Sequence, residues 1–359
     1  MKLVPLKKAK LNSTVAKTLY DLEGRVLLAV GSKLTDSLIK KLHLLNINFL
    51  YVSDYEDDLN VTSAIKSDIK DKLLTLIKST FISLDTPSTN YNISDERLKK
   101  FYDLAENILD DIFENIYLSS FVVDIKNDRP TIFDHSINVA VISLFIGIYL
   151  DYNREDLINL CVGALLHDIG KSLIDIELID KETPLTYEEF EIVKGHCEKG
   201  YYYLYEKDYI HSDIKQIILQ HHERVDGLGY PKGLMGNQIN RMAKIVSVAN
   251  VYDTLTSDNN YIDSMPSSDA IEYIMSHVDS SFDFDIVNIF AKIIVPFPNG
   301  TRVKLSNGDI AIVKETFKDF PLRPNVRIIK SKIKENEGKI IRLLDELSIV
   351  IKDFDKVEI

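Results

Sequence analysis

Cysteine is scarce in this chain of 359 residues: there are two, Cys161 and Cys197. Two thiols cannot build a disulfide framework, and they read as free thiols of a cytoplasmic protein. Basic residues are also in deficit, with 43 Lys and Arg against 55 Asp and Glu and a net charge of −12. That balance argues against binding a nucleic-acid polymer through a basic face. A cleft that takes a small anionic substrate must therefore hold local positive charge, from a metal or a lysine. Long apolar runs are missing too. The longest, Ile137 to Leu150, is broken by Asn138, Ser143 and Gly147. It is also shorter than the ~18–20 residues a membrane span needs, so it reads as a buried helix. Met1 to Leu11 is basic, but no apolar segment follows, so no secretory leader is expected. Internal repeats and low-complexity tracts are not seen.

What is present is an ordinary globular composition, 45% hydrophobic and 27% charged, in a chain long enough for two or three units. Gly24 to Gly31 reads as a short strand between turn signals, and Phe49 to Val52 as another. Between them, Thr35 can cap a helix over Asp36 to Leu45, with Leu38, Ile39, Leu42 and Leu45 at helical spacing. The acidic run Asp54 to Asp58 marks a boundary. Two helices are predicted over 62–83 and 95–118, as a connector or a dimerising hairpin. From 119 to 295 the pattern is helical, in segments near 131–150, 155–170, 187–204, 211–223, 239–257 and 267–278. After Pro296 it changes: strand-like runs flank Ser306-Asn307-Gly308-Asp309, a hairpin signal. The expected fold is mainly α: a small α/β N-terminal domain over 1–58, a helical connector over 59–118, a helical catalytic domain over 119–295 and a β-rich appendage over 296–359.

The helical region also holds the chemistry. Of eight histidines in the chain, His135, His167, His196, His221 and His222 fall between residues 135 and 222. Two of the runs are dense in donors: His167-Asp168-Ile169-Gly170-Lys171, and His221-His222 leading into Gly227-Leu228-Gly229-Tyr230-Pro231. Imidazole with carboxylate suits borderline divalent ions such as Fe, Mn or Zn. A helical bundle lets inward side chains from several helices converge on such ions. Asp168 has two oxygens and could bridge two metals. Lys171, one turn further if the helix continues, could neutralise a phosphate oxygen or protonate a leaving alkoxide. Cys197, directly after His196, is a possible stray ligand.

These runs closely resemble the HD-GYP family, a branch of the HD phosphohydrolases, over roughly 119–330. His167-Asp168 matches the HD pair, and Gly229-Tyr230-Pro231 matches the GYP triplet. His196 with Gly200 matches the middle His-x-x-x-Gly, and His135 the leading histidine. Gly31 to Thr35 is similar to a turn in the small domain often found ahead of such cores. The resemblance implies an HD-type bundle that hydrolyses cyclic di-GMP to linear pGpG, in some members on to GMP, with Fe or Mn. It implies His135, His167, Asp168, His196, His221, His222 and the residue at 250 as metal ligands. It implies Asp168 and Lys171 as catalytic, and Lys171, Gly229, Tyr230, Pro231 and Tyr261 as substrate contacts.

Three positions depart from the family pattern. Asn250 stands where the family has a ligating Asp. Asn259-Asn260-Tyr261-Ile262 stands where an Arg-Pro-Tyr-Lys-like run holds phosphates, with Lys232 as a possible substitute. Thr131 stands where trinuclear members carry Glu, which favours two metals over three. The leading expectation is an active cyclic di-GMP phosphodiesterase. Its rivals are a weak or inactive relative that binds cyclic di-GMP or a diguanylate cyclase domain as a sensor or scaffold, and a hydrolase of another cyclic dinucleotide. Asp253, one turn beyond Asn250, is not promoted to a replacement ligand without geometry. A homodimer through the helices of 62–118 is possible on this pattern.

Overall fold

The computed structural model describes residues 2–6, 11–15, 19–20, 26–29, 31–44, 49–52, 67–82, 93–115, 132–179, 181, 183–205, 207, 209–257, 265–297, 302–317 and 319–354. Its two compact units are Met1–Ser63 together with Ile294–Ile359, and Ala64–Ile293. In the first unit, β1 (Lys2–Pro5), β2 (Leu19–Tyr20), β3 (Val26–Leu28), α1 (Asp36–Leu44) and β4 (Phe49–Val52) form the N-terminal α/β piece. β1 pairs antiparallel with β4, and β2 with β3. Leu6, Val15, Leu28, Leu34, Leu42, Leu50 and Val52 form its core. The C-terminal piece is one antiparallel sheet of β5 (Arg302–Leu305), β6 (Ile310–Phe317), β7 (Phe320–Lys330), β8 (Ile340–Arg342) and β9 (Ile351–Phe354), in the order β8-β7-β6-β5-β9. The hairpin expected at Asn307-Gly308 joins β5 to β6, with Gly308 at φ +88°.

The second unit is helical: α2 (Ser67–Ile82), α3 (Asp95–Asn115), α4 (Ile132–Tyr149), α5 (Arg154–Leu166), α6 (Ile176–Ile179), α7 (Tyr187–Lys194), α8 (His196–Tyr205), α9 (Ser212–Gln220), α10 (Arg241–Thr256), α11 (Ser267–Ser276) and α12 (Phe284–Ile293). The helices α2 and α3, expected as a connector, pack on α4 and α5 within this unit. The long apolar stretch is α4, and its residues Ile137, Val139, Ala140, Val141, Ile142, Leu144, Phe145 and Ile146 are all buried. A helix apolar on every side is stable only when covered on every side, and α2, α5, α10 and α12 cover it. Among the described residues no helix is long and apolar enough to cross a membrane.

Two predicted helices turn out shorter than their apolar pattern, and the reason is local chemistry. The segment near 187–204 is split at Gly195 into α7, opened by a Thr186–Glu189 capping box, and α8. The segment near 155–170 ends at Leu166, and a 3-10 turn over Ile169–Leu173 takes over. The helix therefore does not continue to Lys171 as the sequence reading supposed. The tighter turn still places Lys171 over Asp168, because i and i+3 eclipse in a 3-10 turn.

That turn is clamped against α8 at Gly170. A Cβ added there would lie 1.9 Å from the His196 carbonyl oxygen and 2.7 Å from the Gly200 nitrogen. Both are backbone atoms, so no side-chain rotation relieves the overlap. Gly170→Ala is expected to cost about 2 kcal/mol or more of unfolding free energy, as overpacking typically does. Urea denaturation reads it, and an unchanged midpoint would contradict this close approach.

Candidate metal centre

Each donor sits where a helix begins or ends, or on a helix that faces one. His167 and Asp168 follow the last residue of α5, His196 opens α8, and His221 and His222 follow α9. His135 lies on α4, and Asn250 and Asp253 lie on α10. Their donor atoms gather into two groups, His135 with His167 and Asp168, and His196 with Cys197, His221 and His222. Within each group the candidate ligand atoms lie within 4.8 Å of one another. All five predicted histidines are thus brought together. His211, in the same stretch of chain, instead accepts from the Asp213 backbone N–H at the start of α9.

Asp168 stands between the groups and is fully buried. Its Oδ2 lies 3.3 Å from His167 Nε2 and 3.9 Å from His135 Nε2. Its Oδ1 lies 3.3 Å from His196 Nε2 and 3.7 Å from His221 Nε2. Lys171 Nζ donates to Oδ2 at 2.6 Å. Burial acts to raise the Asp168 pKa, but the charge of Lys171 holds it well below the usual carboxylate range.

The imidazoles are set in one tautomer. His167 Nδ1 donates to the Ala164 carbonyl at 2.7 Å, His196 Nδ1 to that of Val193 at 2.7 Å, and His221 Nδ1 to that of Ile218 at 3.0 Å. A carbonyl only accepts, so the proton is on Nδ1 and the Nε2 lone pair faces inward. His135 follows the same rule through Asp253 Oδ2 at 2.7 Å, and Asn138 Nδ2 holds the other Asp253 oxygen at 2.9 Å. Burial lowers the pKa of His167 to about 4 and of His196 to about 3, and takes His222 well below its ordinary value. These rings are therefore neutral at pH 7, the form that binds metals.

The donors fit divalent cations. His167 Nε2 and Asp168 Oδ1 are buried with no hydrogen-bond partner. His196 Nε2 and His221 Nε2 face each other at 3.2 Å, and with both protons on Nδ1 this is lone pair against lone pair. Converging lone pairs with too few donors, two of them unpartnered, are costly unless a cation is present.

The loop carrying Gly229, Tyr230 and Pro231 is built from Glu223, which the sequence reading passed over. Its buried carboxylate accepts from the Lys232 and Leu234 backbone N–H groups at 2.7 and 2.9 Å. Tyr230 stacks on His222 with ring centroids 4.7 Å apart, next to a cis Tyr230–Pro231 bond. A Cβ at Gly229 would lie 2.3 Å from the Arg224 nitrogen, so only glycine fits. Lys232, named as a substitute phosphate cation, pairs with Glu198. Asn250 is buried and its Oδ1 accepts weakly from Thr254 Oγ1 at 3.4 Å. Tyr261, Asn259, Ile262 and Thr131 lie outside the described residues. Asp253 was named from the sequence only as lying one turn beyond Asn250, and nothing local showed that it reaches His135 on α4.

Comparison with known proteins bears on the same segment. Residues 121–286 match the family model of the HD domain, and residues 302–358 match that of the KOW domain associated with HD domain. The chain is 29% identical over 229 residues to the cyclic di-GMP phosphodiesterase PA4108 of Pseudomonas aeruginosa, covering 64% of this chain and 55% of that protein. It is 29% identical over 216 residues to the cyclic di-GMP phosphodiesterase PdeB of Borreliella burgdorferi, covering 60% and 55%. The chain thus spans about half the length of these curated relatives. Among solved structures its fold is similar to that of Bd1817, an HDG"Y"P protein from Bdellovibrio bacteriovorus. The TM-score is 0.52 at 20% identity, covering 80% of this chain and 97% of that one. Within the helical region, residues 121–286 are similar to the HD domain, and the β-rich piece after it matches the KOW domain associated with HD domains.

Two outcomes are expected. The buried imidazoles titrate lower in the folded chain than the ~6.5 of an unfolded histidine, so the folded state binds fewer protons and its stability falls with pH. For metal-free protein the loss begins near pH 6.5 and is complete for His167 near pH 4 and for His196 near pH 3; Asp168 adds to it below its ordinary value. Urea midpoints across that range should drop, and less steeply in His167→Gln; an equal slope in the variant would count against the burial argument. Separately, Asp253→Asn should weaken metal binding about 10- to 100-fold, the usual effect of losing a partner behind a histidine ligand. Chelator competition measures it.

Proposed function

We propose that this HD-domain chain is a metal-dependent cyclic di-GMP phosphodiesterase of HD-GYP type, cleaving a 3′,5′-phosphodiester to linear pGpG and in principle onward to GMP. The observation that carries the reading is one fully buried carboxylate, Asp168, presenting one oxygen to each of two donor groups. The named activity of the curated relatives supports the substrate.

In this reading His135, His167 and Asp168 hold one ion, and Asp168, His196, His221 and His222 the other, as Fe(II) or Mn(II). Divalent ions held by these donors supply Lewis acidity toward a phosphoryl oxygen and acidify the attacking water. The rest is work for the chain. Lys171 is tethered to Asp168 Oδ2 at 2.6 Å and a quarter exposed, so its ammonium can meet a phosphate oxygen or give a proton to the leaving ribose oxygen. Tyr230, held flat on His222, offers a face at the mouth of the site for a base or ribose. Gly229 and Pro231 set the path of that loop, and Tyr261 joins the substrate contacts by resemblance. Free buried thiols at Cys161 and Cys197 suit a reducing, cytoplasmic setting.

A second reading, a binding or scaffolding protein that meets cyclic di-GMP or a cyclase domain without turnover, is favoured by one observation. Asn250 brings no charge to its buried position and its oxygen is engaged by Thr254. Homodimerisation is compatible with either reading.

The deciding experiment is cyclic di-GMP turnover by protein loaded anaerobically with Fe(II) or Mn(II), with products separated by chromatography. Appearance of pGpG or GMP is expected, abolished in Asp168→Ala and reduced about 10²- to 10⁴-fold in Lys171→Ala, the usual range for a lost general acid. Absence of turnover in folded, metal-loaded protein would select the binding reading. Turnover confined to another cyclic dinucleotide in a substrate panel would revise the substrate alone.

A further inference from the structure

The second donor group contains a side chain that the proposed mechanism does not use. Cys197 is buried, its Sγ lies 3.4 Å from His196 Nε2, and it belongs with His196, His221 and His222 to a group whose candidate ligand atoms all lie within 4.8 Å of one another. It follows His196 at the start of α8, and the same turn that presents the imidazole presents the sulfur. A cysteine alone marks no site, but this one shares its space with three imidazoles. It also shares it with Asp168 Oδ1, a carboxylate oxygen that is fully buried, unpartnered and 3.3 Å from His196 Nε2.

Charge supplies the second argument. Two divalent ions bring four positive charges, and the two donor groups contain one carboxylate, Asp168, already engaged by Lys171. Neutral imidazoles add none. A thiolate adds one negative charge to a pair of ions that otherwise share a single carboxylate, and a coordinating thiol is deprotonated outright.

We infer that Cys197 is a further protein ligand, beside Asp168, to the ion held by His196, His221 and His222, so that one half of the centre includes a sulfur donor and the other is all nitrogen and oxygen. On ion binding the thiol proton, which Cys197 otherwise shares with His196 Nε2, leaves to solvent, and the sulfur lone pair it held forms the bond to the metal. The two halves then differ in preference. Soft sulfur favours Zn(II) or Fe(II) over Mn(II), whereas imidazole with carboxylate admits Mn(II). This inference rests on the reading of these residues as a metal centre, and not on the identity of the substrate.

Cobalt(II) separates the two questions. Titrated into the full-length, chelator-treated chain, it should give visible d–d bands, which report a metal centre, and a near-ultraviolet sulfur-to-cobalt charge-transfer band. The chain has two cysteines, so the assignment is closed by substitution. The charge-transfer band should disappear in Cys197→Ser and survive in Cys161→Ser, while d–d bands persist in both. Affinity for the ion lost with the sulfur should fall at least about tenfold, the low end of what losing even an outer partner costs. A wild-type spectrum with d–d bands and no sulfur band overturns the inference but leaves the metal centre standing. No cobalt bands at all from folded protein overturns both. Should Cys197→Ser fail to fold, X-ray absorption on the zinc-loaded wild-type chain decides: a sulfur scatterer at about 2.3 Å is expected, and a shell of nitrogen and oxygen alone contradicts it.

Discussion

A carboxylate with no access to water lies at the meeting point of three helix ends, and the arrangement of the bundle follows from keeping it ionised. Asp168 is fully buried, and desolvation by itself would neutralise it. Lys171 prevents this, placed over Asp168 by the 3-10 turn into which the chain tightens after Leu166. That turn needs α8 close against it, a contact that leaves no room for a side chain at residue 170. The same approach delivers His196 to the opposite oxygen of Asp168. One charge therefore ties α5, the turn and α8 into a single geometry.

The surrounding polar groups follow from the same constraint. Asp253 and Asn138 would be expensive in the core as isolated residues. Here the first holds His135 and the second holds the first, so the chain of bonds runs from α4 to α10 and back. Glu223 plays an equivalent part in the loop carrying Tyr230, where its two oxygens take up backbone N–H groups that no regular ladder satisfies. Tyr230 can then lie flat on His222, because the loop carrying it is fixed at both ends.

Much of this was legible in the sequence, and the limit of legibility has a physical form. The apolar pattern gave α4 as a buried helix, and the paired His167-Asp168 and His221-His222 marked the donors, since both signals are local in the chain. The β-rich tail announced itself through Asn307-Gly308, again a local preference for positive φ. What could not be read were relations between distant segments. Gly195 interrupts a helix whose periodicity continues through it. Asp253 matters through a partner 118 positions away. Cys197 gains significance only when α9 brings His221 and His222 beside it. The Asn250 departure was visible as a missing charge, but its bond to Thr254 required the side-chain geometry.

The Nδ1 bonds of His167, His196 and His221 have a consequence for how the protein is assembled. Each imidazole donates to the carbonyl three residues before it, beside the last turn of α5, α7 or α9. The final carbonyls of a helix have no partner within it, so each of these three imidazoles is also the cap of the helix that leads to it. Fraying of one such end releases a carbonyl and turns a donor away in the same event. An ion gripping the inward nitrogens closes the loop in reverse, fastening three helix termini at once. With a cation held there, its binding and the integrity of the bundle would be one equilibrium, and scarcity of the ion would be felt first as unravelling at those termini.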